Sequence, residues 1–211
     1  MAGICDRALQ HIGRLLPRHL PPKMIDFRDR FEHHLLIRTA GPGANEAEQY
    51  LDWKFPSSTG DYFKCTPAEA TKAFLHRFVV AGAAVRYRAM HVREVQDIVA
   101  LDFALRRNDQ HWYAPVPPEL KRSCRLNVMY GHFFCHVFHQ DLCVSRGVDV
   151  ANIEALMHRW LIARRAEFPA EHNVGHLYKA TPGLESFYRA LDVANRFNPG
   201  IGGTPTRRNW K

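Results

Sequence analysis

The longest apolar run of this chain is too short to cross a bilayer. It covers eight residues, 78–85, and Arg77 and Arg86 flank it. A membrane-spanning helix needs roughly 20 apolar residues. We therefore expect any membrane contact to be peripheral. Apolar residues make up 46% of the 211 residues, which is enough for a real hydrophobic core.

The chain is strongly basic, with 29 Lys and Arg against 21 Asp and Glu and a formal charge of +8. Such an excess predicts an anionic partner: a phospholipid surface, a nucleic acid or an acidic substrate. The sequence contains neither a recognition-helix module nor a pattern of aromatic residues interleaved with basic ones. We therefore expect no nucleic-acid partner.

The cysteines and the first residues bear on the cellular compartment. The five cysteines are an odd number and form no C-x-x-C pair, which argues against a disulfide framework and against a zinc ribbon. They are Cys5, Cys65, Cys124, Cys135 and Cys143. The first six residues lack the cationic and apolar order of a signal peptide. These patterns predict reduced thiols in a cytosolic compartment.

Helix and strand patterns alternate without a strict βαβ rhythm, which favours an α+β fold with an antiparallel sheet flanked by helices. The predicted helices cover residues 1–20, 45–55, 66–80, 149–161 and 181–195, and the predicted strands cover 34–39, 60–65, 84–90 and 99–105. The segment 131–141 is predicted to be a strand or a hairpin. The clearest helix start is Thr66-Pro67-Ala68-Glu69, a capping box with proline in the first turn. In residues 1–20, apolar residues alternate with basic ones in a pattern that predicts a basic amphipathic helix. This helix either packs on a neighbour or contacts anionic lipid.

The segment from Gly131 to Asp141 is dense in histidine. His132 and His139 are seven residues apart, so on one continuous strand they would lie on opposite faces. They converge only if the chain bends between them, whereas His132 and His136 would share a strand face. The segment holds either hydrogen-bonded or solvent-facing histidines, or metal ligands and substrate-binding imidazoles.

A second polar segment is Glu171-His172, which is followed by Gly175 and His176. Its carboxylate and imidazole are either exposed loop charges or a proton-transfer pair held beside a substrate. Glu171 is also the obvious carboxylate to complete a metal site with the histidines upstream.

Two further segments could contact small molecules. Arg106 and Arg107 follow the predicted strand 99–105 and are either solvated or positioned to clamp a substrate carboxylate. The run Gly200-Ile201-Gly202-Gly203 lacks the lysine and the strand-to-helix context of a phosphate loop, so it predicts a turn.

Several motifs together resemble the C-terminal part of the quinone-dependent D-lactate dehydrogenases, respiratory flavoproteins of the bacterial inner membrane. The resemblance covers most of the chain, and its motifs in order are residues 31–36, 65–69, 72–78, 104–109, 130–133, 137–141, 169–179 and 198–202. It implies the cap fold of a flavoprotein like vanillyl-alcohol oxidase. It also implies three parts: the end of a membrane-contacting segment (1–30), a cap or substrate domain (31–168) and a stretch returning to an FAD-binding domain (169–211).

The resemblance also implies roles for individual residues. His172 would accept the lactate hydroxyl proton, with Glu171 beside it, and Arg106 or Arg107 would hold the carboxylate. His132, His139 and Glu171 would orient the hydroxyl, directly or through a divalent metal. Asn198 and Gly200 would lie at the cofactor. Related 2-hydroxyacid dehydrogenases of the wider flavoprotein class carry a His-x-Gly-Asp-Gly-Asn-x-His segment, and His132 and His139 fall on its two histidines. This chain has Phe134-Cys135-His136-Val137 in place of the Gly-Asp-Gly-Asn.

The function implied is oxidation of D-lactate to pyruvate, with FAD as cofactor and quinone as electron acceptor. The implied location is the cytoplasmic face of the inner membrane, on an anionic phospholipid surface. This chain would be inactive without the FAD-binding domain, supplied in cis or in trans. The alternatives are a stand-alone metal-dependent enzyme that uses the same histidines, and a basic lipid-binding adaptor.

Overall fold

The computed structural model describes residues 18–112, 116–170 and 179–211, together with residues 9, 12, 13 and 15. The chain divides into two compact units, residues 1–82 and residues 83–211. We refer to them as the N-terminal unit and the C-terminal unit.

The N-terminal unit carries three helices in its described part: α1 (Pro22–Arg30), α2 (Gly43–Lys54) and α3 (Pro67–Ala81). The predicted capping box of α3 is present, because the Thr66 hydroxyl accepts from the Glu69 N–H and the Glu69 carboxylate accepts from the Thr66 N–H. Helix α2 also agrees with the prediction, whereas the sequence patterns did not indicate α1. Of the α3 side chains, only Ala73 is buried.

Two strands predicted in this unit are wrong. Residues 34–39 have no regular structure, and Leu35, Leu36 and Ile37 are exposed. Residues 60–65 form no strand either, and Gly60 makes only an isolated bridge with Ser57. A strand is stable only beside a hydrogen-bonded neighbour, and the described part of this unit offers none. The helix predicted at 1–20 falls largely outside the described residues.

The C-terminal unit is built on a three-stranded antiparallel sheet in the order β1-β3-β2. Its strands are β1 (Val95–Ala104), β2 (Cys124–His132) and β3 (Val137–Ser145). The helices are α4 (Ala83–Met90), α5 (Val150–Ala163) and α6 (Pro182–Leu191). The predicted α+β class, strand 99–105 and the last two helices are confirmed. The strand predicted at 84–90 is wrong: the alanine-rich stretch forms α4, since alanine has the highest helix propensity.

The two faces of the sheet differ in what covers them. On one face, Phe103 and Leu142 pack against Ile153, Met157 and Leu161 of α5 to form the main core. On the opposite face, Ala84 of α4 packs against Val95 and Cys143 and covers one end. Side chains alternate between faces along a strand. The strand residues that alternate with the core positions Phe103 and Leu142 therefore point to this second face.

Candidate active site on the polar face of the sheet

The other end of the second face carries a cluster of polar side chains. The strand register pairs Asp102 of β1 with His139 of β3, and His139 with Tyr130 of β2. Asp141 and His132 lie two residues from His139 and Tyr130, so alternation places them on the same face. We call these five residues the polar-face cluster.

Asp102 and His139 form the centre of this cluster. The Nδ1 atom of His139 lies 3.2 Å from Oδ1 of Asp102, and the two side chains are only 15% and 11% exposed. A carboxylate beside one ring nitrogen fixes the tautomer and the orientation of an imidazole. The pair therefore holds the His139 ring in one defined orientation.

Two further rings flank His139. Tyr130 stacks on it with ring centroids 5.1 Å apart, and His132 meets it edge-on at 5.7 Å. The structure thus brings together His132 and His139, which the sequence could join only through a bend. The bend is the short 3-10 turn Phe133–Cys135, followed by His136 in the left-handed region with φ of 59°.

His136 does not share the strand face with His132. Its Nδ1 donates to the Leu105 carbonyl oxygen at 3.2 Å, and the Leu105 N–H donates to the His136 carbonyl oxygen at the same distance. These bonds tie the hairpin tip to the end of β1. Before the turn, a Cβ at Gly131 would lie 2.4 Å from the Val137 carbonyl oxygen, so only glycine allows this close approach.

Two members of the cluster, Asp141 and Tyr130, have raised pKa values. Burial raises the pKa of Asp141, and the neighbouring His139 opposes this only in part. Burial also raises the pKa of Tyr130, and the charges of Asp141 and Asp102 add to the effect. Asp102, Tyr130 and Asp141 were not predicted as site residues. The available signal was an aspartate inside the otherwise apolar run 99–105, since an apolar strand with one carboxylate indicates a polar partner on the next strand.

The chain passes beside this cluster again after α5. Ala104 and Glu167 exchange backbone hydrogen bonds of 2.8 and 2.9 Å, and the Ala170 N–H donates to the Asp102 carbonyl oxygen at 3.0 Å. Glu171 and His172, the predicted catalytic pair, follow directly but lie outside the described residues. Where the described chain resumes at residue 179, the Ala180 N–H donates to the Gly202 carbonyl oxygen at 2.8 Å.

The two predicted arginines lie just beyond β1. Arg106 is exposed and lines a cavity of about 360 Å³ with Ala104, Leu105, Arg165 and Glu167. Arg107 is exposed beside it. The loop that follows is anchored, since Asp109 accepts from the Arg164 Nε and Nη2 at 3.2 and 2.7 Å.

The predicted cofactor residues lie in a turn, as the glycine-rich sequence indicated. The Asn198 carbonyl oxygen accepts from the Ile201 N–H, and Gly200 has a φ of 87°. A Cβ at Gly202 would lie 2.6 Å from the Ala180 Cβ, so this turn packs tightly against residues that lead into α6. Its role at a cofactor stays a prediction.

A metal site is incomplete in the part of the chain that the structure describes. Among those residues, no group of three or more His, Cys, Asp or Glu side chains is placed to hold a metal. His132 and His139 supply two adjacent imidazoles, while the predicted third ligand, Glu171, is not described. The divalent metal therefore stays a prediction that depends on Glu171.

Comparison with known proteins assigns the family. Residues 1–210 match the family model described as "D-lactate dehydrogenase, membrane binding". The chain belongs to this family. The resemblance that the sequence motifs indicated is thereby confirmed for this D-lactate dehydrogenase domain.

The domain is similar to quinone-dependent D-lactate dehydrogenases of three bacteria. The protein of Escherichia coli (strain K12) is 54% identical over 206 residues, which cover 98% of this chain and 36% of the relative. The Haemophilus influenzae protein is 49% identical over 98% of this chain and 37% of the relative, and the Corynebacterium glutamicum protein is 40% identical over 97% and 36%. The domain therefore spans just over a third of the length of the relatives it matches.

The family description names membrane binding. In the described ranges, no helix of this D-lactate dehydrogenase domain combines the length and the apolarity that a bilayer crossing requires.

Proposed function

We propose that this chain is the membrane-binding and substrate-capping third of an FAD-dependent D-lactate dehydrogenase that oxidises D-lactate to pyruvate and passes the electrons to quinone. Family membership indicates this activity class. The observation that carries the proposal is the Asp102–His139 pair beside His132, a preoriented imidazole site on a sheet face of this family's domain. The FAD-binding domain is supplied in cis or in trans.

The chain contributes groups that bind and orient D-lactate. When bound, FAD supplies the acceptor for the hydride that leaves the lactate α-carbon. His139, held by Asp102, and His132 hydrogen-bond the substrate hydroxyl. His172 accepts the hydroxyl proton, with Glu171 beside it. This assignment is supported by Ala170, because its bond to Asp102 anchors the chain two residues before His172 at the polar-face cluster.

The lactate carboxylate requires a cationic partner. Arg106 is the better candidate of the two arginines, because it lines the cavity at the end of β1, the strand that carries Asp102. A guanidinium can hold a carboxylate through two parallel hydrogen bonds. We assign this role to Arg106 and leave Arg107 to the outer edge of the site.

The surface of the chain suits a peripheral location. Its charge of +8 attracts anionic phospholipid, as found on the cytoplasmic face of the bacterial inner membrane. In this arrangement, residues 1–30 end a membrane-contacting segment, 31–168 form the cap and 169–211 return to the FAD-binding domain. The described fold divides at a different point, between Gly82 and Ala83.

The decisive experiment pairs this chain with an FAD-binding domain of the family and measures D-lactate oxidation with a dye acceptor. The proposal expects turnover from the combination and none from this chain alone. His172→Ala should remove most turnover while the flavin stays bound, and His34→Ala, at an exposed position of the N-terminal unit, should leave turnover unchanged. Turnover by the isolated chain, or full activity of His172→Ala, would contradict it.

A further inference from the structure

The connection between α1 and α2 exposes an apolar run that the dehydrogenase site does not use. Residues 33–40 contain neither a helix nor a turn nor a bend, so the backbone continues without a sharp change of direction. Leu35, Leu36 and Ile37 are 58%, 48% and 48% exposed. Single exposed apolar residues are common, whereas a run of three large ones indicates a contact surface. We call residues 35–39 the open segment.

The backbone of the open segment is also available for pairing. Among the described residues, no backbone hydrogen bond involves an N–H or a carbonyl group of residues 35–39. Each of these five residues carries one donor and one acceptor. A neighbouring strand would pair the groups that point to its side. The open segment thus offers apolar side chains and main-chain groups for one and the same contact.

The order of the side chains favours a place inside a sheet. Successive side chains of an extended chain point to opposite sides, so Leu36 lies opposite Leu35 and Ile37. A strand with apolar residues on both sides is typical of a sheet that is covered on both faces. Ile37 and Thr39 are β-branched, which also favours a strand. Burial of the segment therefore needs a sheet edge with covering elements, not a single flat surface.

The coverage of the relatives indicates where that sheet edge lies. The chain spans 36% of the Escherichia coli relative, so most of such an enzyme lies outside it. Lipid fits the open segment less well, because hydrocarbon offers no partner for N–H and carbonyl groups and an extended segment cannot pair them internally as a helix does. A strand in another part of the protein satisfies both the backbone and the side chains.

We infer that the open segment adds as a strand to a sheet edge in the part of the dehydrogenase that lies outside this chain. The inference rests on the proposed function for the presence of that part. In such a contact, main-chain hydrogen bonds hold the added strand, and pockets for alternate side chains set its register. Leu35, Leu36 and Ile37 supply those side chains. The described part of the N-terminal unit offers no neighbouring strand, so the segment forms none there.

The test compares amide hydrogen exchange in two proteins. One is the 211-residue chain, and the other is a full-length chimera, the Escherichia coli relative in which this chain replaces the region that it matches. The amides of the open segment should exchange rapidly in the chain alone. In the chimera, at least those on the paired edge should exchange about tenfold or more slowly, because ladder hydrogen bonds protect them. Equal exchange in the two proteins would overturn the inference.

Proline variants of the chimera separate strand pairing from simple burial. Adjacent residues direct their N–H groups to opposite edges of a strand, so either Leu36→Pro or Ile37→Pro removes a ladder donor while an apolar side chain remains. At least one of the two should speed exchange of the other protected amides about tenfold or more. Unchanged protection in both would overturn the inference.

Ser58→Pro is the matched control. Ser58 is exposed, is the second residue of the turn 57–60, and its N–H makes no backbone hydrogen bond with a described residue. Proline is favoured at this turn position, so the variant should leave exchange in the open segment unchanged. In the 211-residue chain, all three variants should keep the urea midpoint of the unmodified chain, which checks their folding.

Two further results would assign the open segment to another partner and overturn the inference. One is protection of residues 35–39 in the isolated chain by phosphatidylglycerol vesicles, equal to that in the chimera, which would indicate lipid. The other is protection that rises with the concentration of the isolated chain, which would indicate a second copy.

Activity of the chimera separates the inference from the proposed function. Protection of the open segment in a chimera that does not oxidise D-lactate would refute the proposed function alone. Dye-coupled D-lactate oxidation by a chimera whose open segment still exchanges rapidly would refute only the strand contact.

Discussion

At the scale of single residues, the proposed site depends on Asp102, whose Oδ1 lies 3.2 Å from His139 Nδ1 and which we propose orients that ring. Asp102→Asn replaces the acceptor beside His139 Nδ1 and removes the charge that fixes the tautomer. Loss of such an orienting partner costs about 10- to 100-fold in activity. We expect kcat of the flavin-reconstituted enzyme to fall by that factor, since the imidazole would lose the partner that orients it.

The matched control for this variant is Asp97→Asn. Asp97 lies on the same strand, its side chain is 53% exposed, and it pairs with Arg88 on the surface. Equal kcat losses in the two variants would show that Asp102 supports only the fold.

Asp141 gives a prediction about stability. Burial raises its pKa in the folded chain above the unfolded value, so the ionised form is less favourable in the folded state. The resulting penalty is absent at low pH and appears as pH rises through the folded pKa. Asp141→Asn should therefore raise the free energy of unfolding at pH 7, with a gain that disappears under acidic conditions. Urea denaturation at both pH values measures this, and a gain independent of pH would contradict it.

The residues of the site were only partly predictable. His132, His139 and Arg106 stand out because histidine and arginine clusters are visible in the sequence. Asp102 and Tyr130 do not, because their role depends on which residue lies opposite on β3. Strand register is a property of the folded sheet, and a shift by one residue would move each side chain to the other face.

At the scale of elements, the β2–β3 hairpin brings His132 beside His139, and Gly131 makes its close approach to Val137 and Phe138. Gly131→Ala would place a methyl group against backbone that cannot move freely. Overpacking of this kind costs about 1–3 kcal/mol. We expect that loss in the free energy of unfolding, together with weaker contact between the two histidine rings, measured by urea denaturation and histidine NMR.

Gly183→Ala is the control for this variant. Nothing lies within 4 Å of a Cβ at Gly183, and the position is in the first turn of α6. It should be neutral or slightly stabilising, because alanine favours the helix. Similar losses in both variants would mean that chain flexibility, not the hairpin contact, determines the effect.

Helix starts were the most predictable elements, because their signals are local. Thr66, Asp149 and Thr181 each accept a backbone N–H at the predicted helix start. The strands expected at 34–39 and 84–90 had apolar residues but no neighbouring strand among the residues that the structure describes. Their apolar content alone did not distinguish an exposed segment or a partly exposed helix from a strand.

At the scale of the whole molecule, the two units carry different chemistry. The polar-face cluster lies in the C-terminal unit, while the N-terminal unit exposes a run of large apolar side chains on α3. These are Phe74, Leu75, Phe78 and Val79. In a family described as membrane-binding, this apolar surface suits burial in a lipid surface, while the basic charge of the whole chain supplies electrostatic attraction.

These two components respond differently to salt, and this gives a final prediction. The chain should bind vesicles that contain phosphatidylglycerol, and binding should weaken as salt screens its charge of +8. A salt-resistant fraction should remain, because burial of apolar side chains is not screened. Phe78→Ser should lower that fraction about tenfold or more, since burying one phenylalanine contributes roughly 1.5–3 kcal/mol.

Phe134→Ser is the control, because its position is 88% exposed in the C-terminal unit, and it should leave the salt-resistant fraction unchanged. Vesicle co-sedimentation at low and high salt measures both quantities. Binding that disappears fully at high salt, or equal losses in the two variants, would show that α3 does not enter the lipid surface and that charge alone holds the chain there.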